Sequence, residues 1–217
     1  MTTVLKLTKS QLVASLEAQC GTLSKPSKMP CYSWSLPAEK CKVGSRLHEV
    51  LGSTCEKCYA LKNFYLMPST KKAMDRRFEA LQDLETWKRA IAELIRLKEK
   101  SGYFRWHDSG DIQSVQHLLA IFWIARQLPD IQFWLPTREY KMVQEVLEME
   151  SRPSNLIIRL SAHMVDFPPP EKLARRLGVE TSTVSSNGGN CPAPKQDNKC
   201  LECRACWKNG NVEYHKH

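Results

Sequence analysis

Eight of the nine cysteines in this chain of 217 residues lie in two segments near its ends, and neither segment has enough large aliphatic residues to form a core. The N-terminal group is Cys31, Cys41, Cys55 and Cys58, and the C-terminal group is Cys191, Cys200, Cys203 and Cys206. Clustered cysteines in a reducing compartment bind metal more often than they form disulfides. We therefore expect metal ligation to order both ends, and we expect the isolated Cys20 to be a small buried hydrophobe.

The C-terminal group has the more specific spacing. Its last three cysteines read C-x2-C-x2-C within CLECRACW, so that one tight loop points three thiolates at a single centre. This spacing favours a four-iron, four-sulfur (4Fe-4S) cluster with Cys191 as the fourth ligand. Zinc is the alternative, although zinc ligands usually come as two separated pairs.

The N-terminal group contains one diagnostic pair, Cys55 and Cys58, in STCEKCYA. We expect Cys31 and Cys41 to fold back on this pair and complete a second four-thiolate site. In a variant of this interpretation, only three of the four cysteines hold a cubane, and one iron stays open for a substrate or cofactor. In a further variant, the two groups share one site, so that the chain has either one cluster or two.

The segment between the two cysteine groups has the pattern of an α/β protein. Helices are predicted at 8–18 with Ser10 as N-cap, from Ser69 or Thr70 to about Lys98, after Ser114, from about Tyr140 to Glu150, and over Glu171–Leu177 before the C-cap glycine Gly178. Strands are predicted at Tyr103–His107, Ile131–Leu135, Leu156–Leu160 and Val179–Ser185. Strands that alternate with helices form parallel βαβ units. We predict one domain over 1–217, a partial (β/α) barrel or open parallel sheet (69–186) between irregular Cys-rich segments (1–68 and 187–217).

Polar residues follow each predicted strand, at the sheet edge where sites of this class gather. The first strand runs into His107, Asp108, Ser109, Gly110 and Asp111, the second into Arg138, and the third into His163. Gly110 lets backbone approach a ligand, and Asp108 or Asp111 suits an amine or ribose hydroxyls. Arg138 suits a carboxylate or phosphate, and the two histidines suit proton relay or metal ligation. The catalytic candidates are therefore His107, Asp108, Asp111, Arg138 and His163.

Five stretches between about 28 and 207 resemble a bacteriophage family called gene product eighty-eight. They are PCYSWSLPAEKC, CEKCYALKNFY, DRRFEAL, RWHDSGDIQS and NCPAPK with CLECRACW. That family is similar to radical S-adenosylmethionine proteins, which implies a partial (β/α) barrel and a 4Fe-4S cluster. It also implies that Ser109, Gly110 and Asp111 hold the amino group of S-adenosylmethionine, although the C-x3-C-x2-C string of those enzymes is absent near Cys55.

The net charge of the chain bears on which function is expected. The chain has 32 Lys and Arg against 23 Asp and Glu, a net charge of +9, which favours encounters with polyanions. The leading hypothesis is an iron–sulfur protein that acts on an anionic or nucleotide-like small substrate. The alternatives are a zinc-stapled nucleic-acid-binding protein, with aromatics beside lysines at Trp207–Lys208 and Tyr59–Lys62, and a non-catalytic protein that binds a host protein. With no apolar stretch for a bilayer and no signal peptide, we expect no membrane partner and the cytoplasm of a bacterial host.

Overall fold

A single parallel sheet organises the computed structural model, which describes residues 7–216. Within that range, six strands lie in the order β1-β2-β3-β4-β5-β6, and every neighbouring pair is parallel. The strands are β1 Tyr32–Trp34, β2 Tyr103–Trp106, β3 Gln132–Thr137, β4 Leu156–Ser161, β5 Glu180–Ser185 and β6 Val212–His215. The sheet curls into a half-barrel, which confirms the predicted α/β class and selects the partial barrel over the flat open sheet.

Seven α-helices accompany these strands in the described range. They are α1 Lys9–Cys20, α2 Lys42–His48, α3 Pro68–Ala80, α4 Leu84–Lys98, α5 Val115–Gln127, α6 Tyr140–Met149 and α7 Glu171–Leu177. Two predicted caps are confirmed, since Ser114 accepts a hydrogen bond from the His117 N–H and Gly178 adopts the left-handed C-cap conformation. No helix within residues 7–216 combines the length and apolarity required to cross a bilayer.

Three predictions of local structure are wrong. The long helix from residue 69 to residue 98 is two helices, because Asp83 caps a new one. Thr8, not Ser10, is the N-cap of α1, where it forms a capping box with Gln11. The terminal segments are not wholly irregular, since they contribute the edge strands β1 and β6. These two strands have only three and four residues, too short for period-two alternation to be recognised.

The two faces of the sheet have different roles. Phe104, Trp106, Phe133 and Ile158 point to the helices and form the main core. Because strand side chains alternate, Arg105, Trp134 and Arg159 point into the half-barrel. There Trp134 packs against Trp207 and Cys31 in a second, smaller cluster. The C-terminal loop therefore fills the inner face that a closed barrel would bury.

Arg159 holds this loop inside the half-barrel. Its side chain is fully buried and donates to the carbonyl oxygens of Cys206 (3.1 Å), Ala205 (2.8 Å), Lys208 and Gly210, and also to that of Thr181 in β5. A guanidinium has five N–H donors in a fixed fork, so one side chain satisfies carbonyl groups that an irregular loop would otherwise bury unpaired.

Candidate functional site

Three cysteines of the N-terminal group lie at the mouth of the half-barrel, where the strands end. Cys41 directly precedes α2, and Cys55 and Cys58 lie in the loop that follows that helix. A β-carbon on Gly44 would be 3.5 Å from the Cys41 sulfur and 3.7 Å from the Cys55 sulfur, so the two sulfurs are at most about 7 Å apart. Gly44 thus leaves the space between these two thiols open.

The electrostatics of these thiols reflect burial and a neighbouring cation. Burial raises the pKa of Cys41 and of Cys55. Asp111, Cys55 and Cys58 raise the pKa of Cys41 further, and Cys58 and Asp111 raise that of Cys55. The Arg138 guanidinium opposes this by lowering both pKa values. A cation beside such thiols stabilises their thiolate form, which is the form that binds metal.

Backbone hydrogen bonds fix the cysteine loop to the ends of the strands. The Thr54 N–H donates to the His163 carbonyl at 2.8 Å, and the Val165 N–H donates to the Gly52 carbonyl at 3.0 Å. The Val43 N–H donates to Glu139 Oε1 at 2.8 Å. Glu139 and Thr54 therefore position the thiols, and the sequence analysis missed both, because neither stands in a recognisable motif.

Arg138 is a predicted site residue that the structure brings beside the thiols. Its Nε donates to Thr54 Oγ1 at 3.0 Å, and its side chain is half-buried. Among residues 7–216, the terminal nitrogens of Arg138 have no hydrogen-bond or ion-pair partner. A fixed guanidinium with unused donors at a mouth is suited to a carboxylate or phosphate.

His163 lies at the same edge. Its ring stacks on Tyr140 with centroids 4.4 Å apart, and the Tyr140 hydroxyl donates to the Ser161 carbonyl. Burial lowers the pKa of His163, so the ring is neutral at pH 7. The stack fixes the His163 ring, and within residues 7–216 its buried Nε2 has no hydrogen-bond partner.

The Ser-Gly-Asp motif makes contacts within the chain. Ser109 Oγ donates to the Leu36 carbonyl at 2.9 Å, and a β-carbon on Gly110 would lie 2.8 Å from the same oxygen. Asp111 is buried and accepts from Thr137 Oγ1 (2.6 Å) and from the backbone N–H groups of Ile112 and Arg138. Burial raises the pKa of Asp111 to about 6, although these hydrogen bonds lower it.

The motif therefore connects β1, β2 and β3 where they end. The close backbone approach predicted for Gly110 exists, but the chain that approaches is its own segment at Leu36. The Ser109 and Asp111 side chains are thus engaged within the chain, and the amino-group site for S-adenosylmethionine that the family resemblance implies stays a prediction.

Asp108 organises the rim beside the motif. Its carboxylate accepts from Ser33 Oγ at 2.6 Å, from Ser35 Oγ and from the Tyr65 hydroxyl at 3.2 Å, while its carbonyl accepts from the Tyr59 hydroxyl. A cleft of about 300 Å³ opens on the same side. Its lining includes Ser109, Tyr65, Lys40, Lys71 and Asp75. Lys40 in this lining directly precedes Cys41 in the chain, but no cysteine lines the cleft itself.

His107 lies away from the mouth. Its backbone has a φ of 57°, and the ring turns into the main core, where its centroid is 6.0 Å from that of Trp106 and 5.5 Å from that of His117. The side chain is buried, and burial holds its pKa well below the usual value. The proposed role of His107 as proton relay or metal ligand at the mouth is not supported by this placement, because its ring is enclosed by the aromatic core.

Cys31 is separated from the rest of the N-terminal group. It lies at the start of β1, whereas Leu36, five positions later, already meets Ser109 at the mouth. At ~3.3 Å per residue, the separation along the sheet is ~16 Å. The predicted four-thiolate site of Cys31, Cys41, Cys55 and Cys58 is therefore a three-cysteine arrangement here.

The C-terminal cysteines lie along the inner face of the half-barrel. The Cys200 N–H donates to the Lys28 carbonyl at 2.9 Å, and the Cys203 N–H donates to the Cys200 carbonyl at 2.8 Å. Cys206 Sγ lies 3.3 Å from the Tyr214 hydroxyl oxygen, and the Cys191 N–H donates to the Glu213 carbonyl at 3.1 Å. Across residues 7–216, no three His, Cys, Asp or Glu side chains are close enough together to hold a single metal ion.

Of the two aromatic–lysine pairs predicted to bind nucleic acid, Trp207–Lys208 does not present its aromatic ring to solvent. Trp207 is buried, and its Nε1 donates to the Phe104 carbonyl at 3.0 Å. The indole therefore has no exposed face on which a base could stack. Tyr59 is about half exposed (51%), although its hydroxyl is bound to the Asp108 backbone.

Comparison with known proteins gives one match. A family model described as Gene product 88 matches residues 5–211, a range that includes all nine cysteines and the Ser-Gly-Asp motif. No curated protein and no solved structure matches the chain.

Proposed function

The chain belongs to the Gene product 88 family, and from this premise we propose that it is an iron–sulfur protein whose reactive cluster is held by Cys41, Cys55 and Cys58. The observation that carries the proposal is the grouping of these three thiols, without Cys31, at the mouth beside Arg138. Thiolates are the ligands of iron–sulfur clusters, so the donor chemistry suits the group, although within residues 7–216 the three thiols are not close enough together to chelate a single ion.

A three-thiolate set differs chemically from a four-thiolate set. A cubane with one protein ligand missing has an iron that can bind a substrate or cofactor, and when bound it supplies Lewis-acid or one-electron chemistry there. The C-terminal cysteines form the candidate second site, which serves structure or electron transfer. The proposal thus assigns binding at the mouth to one group of cysteines and ordering of the C-terminal loop to the other.

The class of ligand follows from the residues around the mouth. Arg138 presents its terminal nitrogens beside the thiols, and Lys40 and Lys71 line the adjoining cleft. Lys71 pairs with Glu39, and Asp75 lines the same cleft, so Arg138 is the cation that favours an anionic small molecule, such as a carboxylate or a nucleotide. Thr54 holds the Arg138 guanidinium in place, so the chain orients the ligand before it reaches the metal.

Metal analysis of the anaerobically purified and reconstituted protein tests the proposal. We expect the wild type to bind iron and sulfide and to absorb visible light. Cys55→Ser should lose the mouth cluster, whereas Cys20→Ser, a matched change at another buried cysteine, should not. Uptake of zinc alone, without colour, would contradict the iron–sulfur assignment and would favour the nucleic-acid-binding alternative, for which binding should weaken steeply with salt.

The ligand class has its own test. Arg138→Gln should keep the metal content of the wild type but bind a probe anion, citrate or a nucleoside triphosphate, roughly 10-fold or more weakly, since a hydrogen bond to a charged group contributes about 1.5–3 kcal/mol. The electron paramagnetic resonance spectrum of the reduced cluster, followed against probe concentration, measures this affinity. Equal affinities in the two proteins would show that the anion binds elsewhere.

A further inference from the structure

The packed inner face of the half-barrel, here called the chamber, carries more cysteines than the sequence spacing assigned to it. The four C-terminal cysteines lie along its length, and Cys31 enters it from the N-terminal segment. Cys31 is 2% exposed and packs with Trp134 and Trp207 in the cluster against which Cys206 also packs. Five cysteines thus lie on the two segments that line the chamber, and since no three of them are close enough within residues 7–216 to chelate one ion, metal binding would draw them together.

Contacts between the two ends of the chain make this neighbourhood specific. The Cys200 N–H donates to the Lys28 carbonyl at 2.9 Å, three residues before Cys31. Arg159 Nε donates to the Cys206 carbonyl at 3.1 Å, and this hydrogen bond anchors the C-terminal loop on the inner face. The backbone on both sides of the chamber is fixed, which keeps Cys31 facing the C-terminal group.

The charges around the chamber suit bound thiolates. Arg105 lies over the Trp134 ring at 4.5 Å, and Arg204 lies over the Tyr103 ring at 5.2 Å. Both guanidinium groups lie within electrostatic range of Cys31 and Cys200, and the Glu99 carboxylate lies within range of Cys31. Two cations therefore face the thiols of both segments, where four thiolates and a divalent centre would leave a charge of about −2.

We infer that Cys31 is a ligand of the C-terminal metal site, so that the metal joins the N-terminal segment before β1 to the loop between β5 and β6. The inference rests on the proposed role of the C-terminal cysteines as ligands. The class of ligand is a thiophilic metal centre, either an iron–sulfur cluster or zinc(II), bound by four thiolates. Five thiols for four positions leave one C-terminal cysteine dispensable.

The experiment isolates the chamber by removing the mouth site. The background protein carries Cys41→Ser, Cys55→Ser and Cys58→Ser, and Cys31→Ser or Cys20→Ser is added to it. Cys20 is a matched control because it is buried like Cys31 but contacts none of the other cysteines through its side-chain hydrogen bonds. Each protein is reconstituted anaerobically with ferrous iron and sulfide or, separately, with zinc(II), and metal per chain is measured.

The background protein and its Cys20→Ser derivative should bind one centre, and the Cys31→Ser derivative should lose it. Whichever metal is retained identifies the centre as cluster or zinc. Circular dichroism checks that each variant is folded. Single serine variants of the four C-terminal cysteines give a measurement that does not depend on Cys31→Ser folding, and exactly one of them should retain the centre.

Three results would overturn the inference. Equal metal in the Cys31→Ser and Cys20→Ser derivatives would show that Cys31 is not a ligand, and loss of the centre in all four C-terminal variants would show that no thiol is spare. If the wild type binds metal but the background protein binds none, the chamber holds no metal centre, and the proposed cluster at the mouth is still supported. A wild type that binds no metal would instead overturn the proposed function itself.

Discussion

The close backbone approach predicted at Gly110 is made by the Leu36 segment of the chain itself and not by a ligand. Its backbone has a φ of 80°, a conformation that side chains rarely adopt. A β-carbon there would lie 2.5 Å from the Leu36 β-carbon and 2.8 Å from the Leu36 carbonyl oxygen. The requirement for glycine comes from the close approach of the segments that follow the parallel strands β1 and β2 at the mouth, so the motif stabilises the fold that presents the site.

Gly110→Ala should lower the free energy of unfolding by roughly 3 kcal/mol, since left-handed strain and overpacking each cost about 1–3 kcal/mol. The matched control is Gly178→Ala, at a φ of 63° with nothing within 4 Å, which should cost only about 1–2 kcal/mol for the backbone strain. Urea unfolding of the two variants measures the difference. Equal losses would mean that Leu36 moves aside freely.

At the scale of elements, the N-cap at Asp83 separates α3 from α4. Asp83 Oδ1 accepts from the Thr86 N–H at 3.0 Å, and this hydrogen bond lowers the pKa of Asp83. The apolar side chains of the two helices continue at similar spacing across the break, so periodicity alone predicts one helix. The cap gives α4 its own direction, and Trp87 and Ile91 then pack into the main core.

Asp83→Ala should cost about 1 kcal/mol of unfolding free energy, the usual value for loss of an N-cap. Glu85→Ala is the control within the same turn. Its carboxylate is exposed and pairs only with Lys88 and Arg89 on the helix surface, so its loss should cost about 0.5 kcal/mol or less. A thermal unfolding series on both variants checks the order, and a larger effect at Glu85 would contradict the assignment of the cap.

At the scale of the whole molecule, stability depends on keeping two buried histidines neutral. His107 and His117 lie among Trp34, Trp87 and Trp106 in the main core. Burial lowers the pKa of His117 to about 3, and burial together with His117 and Arg105 lowers that of His107. Below pH ~6.5 the unfolded chain takes up protons that the folded chain does not, so stability is complete above that pH and is lost as the pH falls.

Each histidine should contribute a slope of up to about 1.4 kcal/mol per pH unit between pH ~6.5 and pH ~4. Asp111, whose raised pKa is about 6, acts in the opposite direction, so the useful quantity is a difference between proteins. His117→Gln should flatten the dependence of unfolding free energy on pH, while His215→Gln, at an exposed position, should leave it unchanged. Parallel curves for wild type and His117→Gln would contradict the prediction.

The sequence by itself determined the α/β class, the central strands, the Ser114 and Gly178 caps, and the polar edge at which Arg138 and His163 lie. These features depend on side-chain periodicity and on capping within a few residues, so local sequence is sufficient. Only the tertiary structure decided which cysteines lie near one another. Cys31 and Cys41 are ten positions apart in the chain, but β1 carries them to opposite ends of the sheet, while Cys31 and Cys200 come together. The same strand pairing turns the Ser-Gly-Asp motif inward and His107 into the core, because long-range register, which no local pattern encodes, sets where each side chain points.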